Sequence, residues 1–209
     1  MNSLAANVTG VVLAGGKSRR MGRDKRFLDV GGQALLKRVC ETMASLFTEC
    51  LLSVAEPSPE LEGMGHRLVV DEIPDCASLG GLYTGLLAAT NSRIFVVACD
   101  MPFITHTTIQ RILELSEDYD VVMARLATGL QPMHAVYSKA CLPSIQRMMK
   151  NSTLKIQMLA QTPSLKTKIV NEKEVAPTPE ELLSFLNINT PMDLEMARKL
   201  FNQPRPKHN

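Results

Sequence analysis

The segment RIFVVACDMPF, residues 93–103, constrains the fold of this chain more than any other stretch. It is an apolar run that stops at Asp100, with Pro102 just beyond. A strand of this kind has no face suited to water, so it belongs at the centre of a parallel sheet covered on both sides by helices. Shorter runs of the same character stand at Val11–Leu13, at 50–55 (CLLSVA), at 67–71 (RLVVD) and at 120–125 (DVVMAR). Between them, Gln33 to Phe47 places Leu35, Leu36, Val39, Met43 and Leu46 at three- and four-residue spacings, the period of an amphipathic helix. Further helices are expected at about Leu82 to Thr90 and from Thr105, a good N-cap, to Ser116. Strands and helices in alternation predict a single-domain, three-layer α/β/α fold with a mostly parallel central sheet. In such sheets the ligand site lies at the carboxyl ends of the strands. Leu13, Asp71 and Asp100 each sit at or just past such an end, so they should share one crevice.

The rest of the chain reads less sharply. Residues 72–81 (EIPDCASLGG) are expected to form a loop, and Gly129 to Pro132 a turn into MHAVYS. Ala140 to Lys150 and Leu154 to Gln161 look helical, and Lys166 to Val170 looks like a late strand. LLSFLNIN at 182–189 reads as a strand or strand plus loop, after which Pro191 suits the first turn of a helix continuing to Phe201. The domain is expected to span 1–203, with 204–209 a disordered tail.

At 209 residues, 45 % of them apolar, the chain is long enough to bury one core without staples. Its five cysteines form no C-x-x-C pair and no zinc spacing, which suits a reducing compartment. Residues 1–8 lack the layout of a signal peptide, and no apolar run approaches the roughly 18 residues of a membrane span. A cytoplasmic protein that engages no membrane is expected.

The net charge of +2 conceals a local concentration. After Val11–Leu13 come Gly15 and Gly16, and then Lys17, Arg19, Arg20, Arg23, Lys25 and Arg26 within ten residues. Paired glycines let the backbone turn tightly and approach a ligand, and the cations favour an anion. The competing readings are a solvated basic turn or a nucleic-acid patch; neither needs two glycines directly after an apolar strand, so no nucleic-acid partner is expected. The loop is not a P-loop, because five residues separate Gly16 from Gly22 and Arg23 follows. G-x-G-x-x-G is absent as well, so phosphate must be held by another scheme.

LAGGKSRRMGRDK at 13–25 resembles the signature of the molybdenum cofactor guanylyltransferases. DEIPDCASLGGLYTGL (71–86), VACDMPF (97–103), LQPMHAVYS (130–138) and FLNINTPMDL (185–194) resemble that family's later motifs, in order, so the likeness runs from about Val8 to Phe201. The resemblance implies a Rossmann-like nucleotidyltransferase that moves GMP from GTP to molybdopterin or Mo-molybdopterin and releases pyrophosphate. A molybdenum-insertion protein and molybdoenzyme maturation proteins are the implied protein partners. A cytidylyltransferase on the same fold and a non-catalytic GTP- or cofactor-binding module are the rival readings.

The chemistry needs positioning and charge stabilisation rather than a side-chain nucleophile. Asp100 is the candidate Mg²⁺ ligand, since a hard cation on substrate phosphates takes one or two carboxylate oxygens; otherwise it is a turn aspartate ending a strand. Lys25 and Arg19 are candidates for neutralising the triphosphate. By resemblance, Leu13, Ala14, Gly15 and Gly16 contact the nucleotide, Asp71 sits on it, and Gly80 and Gly81 allow close approach. Gly16 also fits the guanylyl branch, because cytidylyl relatives tend to read L-A-A-G. Gln131, Pro132, Asn187, Asn189 and Thr190 fall on the pterin side, the last three around a helix start whose amides would favour an anion, although Asn189 and Thr190 also suit simple capping. The sequence departs from the family pattern at Ser78, where Pro is usual, and lacks an asparagine after its second strand, so the resemblance assigns nothing within 53–59.

Overall fold

The computed structural model describes residues 3–15, 24–62, 64–73 and 75–202. The expectations for Gly16, Arg19, the other cations of 17–23 and the 204–209 tail lie outside the described residues. In chain order the elements are α1 (Ser3–Ala6), β1 (Thr9–Leu13), α2 (Leu35–Ala44), β2 (Cys50–Val54), β3 (Arg67–Val70), α3 (Ala77–Ala88), β4 (Arg93–Ala98), α4 (His106–Glu114), β5 (Val121–Leu126), β6 (Gly129–Ser138), α5 (Leu142–Lys150), β7 (Thr167–Asn171), α6 (Glu172–Val175), α7 (Pro179–Leu182) and α8 (Pro191–Asn202). The strands form one seven-stranded sheet in the order β3-β2-β1-β4-β6-β5-β7. β6 pairs antiparallel with β4 and β5, and every other pairing is parallel.

The two-sided burial expected of β4 is what organises the layers. Phe95 and Val97 face one side with Val12 and Leu52, where Leu36, Val39 and Met43 of α2 and Ile109 and Ile112 of α4 cover them. Ile94 and Val96 face the other with Val11, Leu13 and Leu51, beneath Leu79, Leu82 and Leu86 of α3 and Ile145 of α5. Successive strand residues thus enter opposite cores, as a period of two requires. A third, smaller cluster joins Val30, Leu35, Phe103, Ile188, Leu194 and Ala197, with Phe103 stacked on Phe201 at 4.6 Å between centroids. It ties α8 to the loops that leave β1 and β4. Among the described residues no helix is long and apolar enough to cross a membrane. All five cysteines are free, and burial pushes the thiols of Cys40, Cys50, Cys99 and Cys141 up to about 12.

Three local expectations are corrected. The 72–81 segment is not loop throughout, because α3 starts at Ala77 and carries Gly80 and Gly81 inside it. Its helical conformation follows from packing against β1 and β2, which overrides the low helix propensity of glycine. Gly129 to Pro132 is the start of a ten-residue strand rather than a turn, since Gly129, Leu130 and Gln131 pair with Leu126, Arg125 and Ala124. Residues 182–189 form no strand. Thr178 and Glu181 make a capping box with Pro179 in the first turn, which launches α7, and a 3-10 turn over Leu183–Phe185 follows.

β6 carries a bulge. Ala135 pairs with Met123 but the next pair is Gln131 with Ala124, so Pro132, Met133 and His134 stand out of register. His134 adopts φ +74°, a region in which histidine is one of the few side chains found with any frequency. Its ring is fully buried between Phe95 (5.3 Å) and Phe185 (4.5 Å). Burial lowers its pKa to about 3, and neither ring nitrogen has a hydrogen-bond partner among the described residues. The unfolded chain, with an ordinary imidazole near 6.5, therefore binds a proton that the native state refuses between about pH 6.5 and 3. Stability from this residue is present above that window and is lost as pH falls through it. Urea unfolding at pH 7 and pH 5 should show wild type losing about 2 kcal/mol more than His134→Asn, which keeps the backbone preference without titrating. Equal losses in the two proteins would refute this account of His134.

Candidate active site

Adjacent strands β3, β2, β1 and β4 end together, and two clusters of side chains are built on those ends. The register is explicit: Leu13 of β1 lies opposite Ser53 of β2 and Ala98 of β4, and Val54 lies opposite Val70. Main-chain bonds continue the ladder past the strands, from the Ala14 amide to Ser53 O (2.8 Å), the Asp71 amide to Val54 O (2.8 Å) and the Cys99 amide to Leu13 O (3.0 Å). Ala14, Asp71 and Cys99 are therefore each tied by a main-chain bond to the neighbouring strand.

The first cluster surrounds Asp71. Its Oδ1 accepts a hydrogen bond from Ser53 Oγ at 2.9 Å. A β-carbon added to Gly81 would lie 3.5 Å from Oδ1, and one added to Gly15 or Gly80 would lie 3.5 or 3.9 Å from Oδ2. Glycine faces thus line the space around this carboxylate. Burial raises the pKa of Asp71, and the Ser53 hydrogen bond works in the opposite direction. Leu13 and Ala14 are buried beside it, and Gly15 is exposed at the mouth.

The second cluster surrounds Asp100, of which 7 % is exposed. Lys25, on the short 3-10 turn Lys25–Phe27, donates to Asp100 Oδ2 at 2.5 Å. Asp100 Oδ1 is buried and has no hydrogen-bond partner among the described residues. A buried carboxylate oxygen left without a donor is costly, and it has the chemistry of a ligand for a hard cation. No group of three or more His, Cys, Asp or Glu that could enclose a metal exists among the described residues, so protein ligation would rest on this carboxylate, with substrate oxygens and water completing the shell. Neighbouring Cys99 is buried, and that burial holds its thiol up near 12, so it remains neutral beside the carboxylate. Arg26 is engaged by Asp24 at 2.6 Å.

The residues expected on the pterin side fall in two regions, the start of β6 and the chain leading into α8. The Ile188 amide donates to Asp100 O at 2.9 Å, which places Asn187 beside the Asp100 turn. Gln131 bonds to Thr128 Oγ1 and Gly129 O, and Pro132 O accepts from the buried Tyr137 hydroxyl at 2.7 Å. The His134–Phe185 contact joins this bulge to the chain that leads into Asn187. At α8 the expected anion site is already filled from within, because Asp193 Oδ2 accepts the amides of Asn189 (2.9 Å) and Thr190 (2.8 Å). Those backbone bonds, chiefly that from Asn189, hold the Asp193 carboxyl below its usual range. The side chains of Asn189 and Thr190 remain at the surface, with the Thr190 hydroxyl accepting from the Asp193 amide.

Ser53 is the site residue that motif reading passed over. Its signal is a single hydroxyl in the apolar run CLLSVA, at a position that the sheet buries on both faces. Gly81 depends on it. A β-carbon there would come within 3.0 Å of Ser53 Oγ and 3.2 Å of Leu13 Cδ2. Gly81→Ala should therefore lower stability by about 1 kcal/mol, despite the gain in helix propensity that alanine brings elsewhere. Thermal unfolding measures it, and a raised melting temperature would contradict the close packing of α3 on β1 and β2.

Comparison with known proteins gives this arrangement its relatives. The model of the MobA-like NTP transferase domain matches residues 10–165. A protein of Pelotomaculum thermopropionicum described as a probable molybdenum cofactor guanylyltransferase is 36 % identical over 197 residues, which cover 94 % of this chain and 95 % of that one. A molybdenum cofactor guanylyltransferase of Desulfosudis oleivorans is 34 % identical over 192 residues, covering 91 % and 94 %. The crystal structure of molybdopterin-guanine dinucleotide biosynthesis protein A from Archaeoglobus fulgidus shares the fold with a TM-score of 0.79 at 22 % identity, covering 92 % of this chain and 98 % of that one.

Proposed function

Because this chain belongs to the MobA-like NTP transferase family and is a nucleotidyltransferase, we propose that it transfers GMP from GTP to the terminal phosphate of molybdopterin, releasing pyrophosphate. The observation that carries the reading is Asp100, with one oxygen paired to Lys25 and the other buried without a described partner, at the end of the central strand. The names borne by relatives along nearly the whole chain support guanine as the base and molybdopterin as the acceptor.

In this reading the nucleotide half lies over β1, β2 and β3. Leu13, Ala14 and Gly15 present backbone to it, Asp71 accepts from it, and the faces of Gly80 and Gly81 leave it room. Gly16 and Arg19 belong to the same grip, on residues outside those described. Asp100 Oδ1 would hold Mg²⁺, which supplies charge neutralisation for the phosphates when bound. Lys25 would exchange its carboxylate partner for phosphate oxygens and act there as a point charge. Asn187, Gln131 and Pro132, with Asn189 and Thr190 further out, would hold the pterin. A phosphate oxygen of the acceptor attacks the α-phosphorus, and the bond to the departing pyrophosphate breaks. The acceptor is already an anion, so no base is needed, and the neutral Cys99 thiol offers no competing nucleophile.

Mg²⁺ with GTP should protect the protein against thermal unfolding, by about 2.7 kcal/mol at one hundred times the dissociation constant, while CTP and ATP should not. Preference for CTP would remove the guanylyl assignment. In steady-state assays, Asp100→Ala should cut kcat by at least about 100-fold. Asn187→Ala should instead raise the KM for the pterin acceptor and spare that for GTP. Wild-type turnover in Asp100→Ala would refute the metal role.

A further inference from the structure

Ser53 has no counterpart among the residues assigned to the reaction so far, yet it is only 1 % exposed and bonded directly into the Asp71 cluster. We propose that Ser53 is a positioning residue that commits one oxygen of Asp71 to the protein and thereby presents the other to the nucleotide. The inference rests on the reading of Asp71 as a nucleotide contact.

Its geometry separates the two carboxylate oxygens. Oδ1 receives the Ser53 hydroxyl and lies toward Gly81, whereas Oδ2 lies toward Gly15 and Gly80, where missing side chains leave space. A carboxylate free to rotate would offer either oxygen in turn, and the entropy of fixing it would then be lost on each binding event. The serine hydroxyl has one proton and two acceptors in reach, Asp71 Oδ1 at 2.9 Å and Gly81 O at 3.4 Å, and the shorter bond goes to the carboxylate. On strand grounds alone the position calls for an apolar residue, as at Leu51, Leu52 and Val54, because a buried hydroxyl is costly unless it is bonded. Asp71 is its reason for being there.

Ser53 also bears on the charge of Asp71. Burial favours the neutral acid, and the donated hydrogen bond favours the anion. No other charged group offsets this balance among the described surroundings. α3 carries no ionisable side chain but Tyr83, β2 near Ser53 carries none, and Glu72 and Asp75 in the adjoining loop are exposed carboxylates of the same sign.

The test is a kinetic comparison of wild type, S53A, S53T and D71N in the complete reaction, with melting temperatures recorded for each. S53A should raise the KM for GTP about 10-fold while kcat and the acceptor KM stay within about 2-fold. The acid limb of log(kcat/KM) for GTP should move to higher pH, because Asp71 loses the bond that favours its anion. S53T, which keeps the hydroxyl, should restore both, and a general packing defect would not move the acid limb. If S53A does not fold, S53C fills the same space with a weaker donor and should shift KM and the acid limb the same way. Wild-type KM and an unmoved acid limb in S53A, alongside a defective D71N, would overturn the role of Ser53 and leave the proposed function standing. A D71N enzyme with wild-type KM for GTP would overturn both the role of Ser53 and the placing of Asp71 on the nucleotide.

Discussion

The register between β1 and its two neighbours is the constraint on which the site depends. Leu13 stands level with Ser53 and with Ala98, and main-chain bonds carry that alignment one residue further at Ala14 and Cys99. A slip of one residue would send every side chain to the opposite face, exchanging the set packed under α2 and α4 with the set packed under α3 and α5. Asp71 and Asp100 are therefore carried at the ends of strands of one sheet, linked through the β3–β2, β2–β1 and β1–β4 pairings. The cost of ordering the reactive groups falls on folding rather than on each catalytic cycle.

The places where local preference and structure disagree gather at this same end of the sheet. Two glycines sit inside α3 where alanine would favour the helix, a hydroxyl interrupts β2, a carboxylate oxygen of Asp100 is buried without a described partner, and β6 bulges at Pro132 to His134. Elsewhere the two cores are aliphatic and continuous. Proteins usually depart from local consistency where function demands it. Here the departures run along the strand ends from the Asp71 cluster past Asp100 to the β6 bulge.

The third cluster, built on Phe103, Ile188, Leu194 and Phe201, gives α8 a part in this arrangement. It clamps the C-terminal helix to the loops that leave β1 and β4, and the Ile188 amide then reaches the Asp100 carbonyl. Asn187 is consequently placed by the same main-chain bond that braces the Asp100 turn. Asp193, meanwhile, takes the amides of Asn189 and Thr190 just before α8, so those two amides are not free for a ligand.

Much of this was legible in the amino-acid order, and the limit has a physical basis. β4 could be recognised because burial on both faces imposes an unbroken apolar run, α2 because one buried face imposes a helical period, and the ends at Asp71 and Asp100 because a charge cannot continue such a strand. Those are properties of consecutive residues. The pairing of Lys25 with Asp100 joins positions 75 apart, the Ser53–Asp71 bond joins β2 to the turn after β3, and the helical state of Gly80 and Gly81 depends on contact with Leu13 and Ser53. The pairing that makes strand of the expected turn at Gly129 to Pro132, and the bulge that follows it, both depend on β5 as partner. The chain by itself thus determined the layers, the strand ends and the residues that reach them. Only the tertiary structure decided which oxygen of Asp71 is held, which oxygen of Asp100 lacks a partner among the described residues and that Asp193 takes the amides of Asn189 and Thr190, because hydrogen-bond geometry is set by packing that no local pattern encodes.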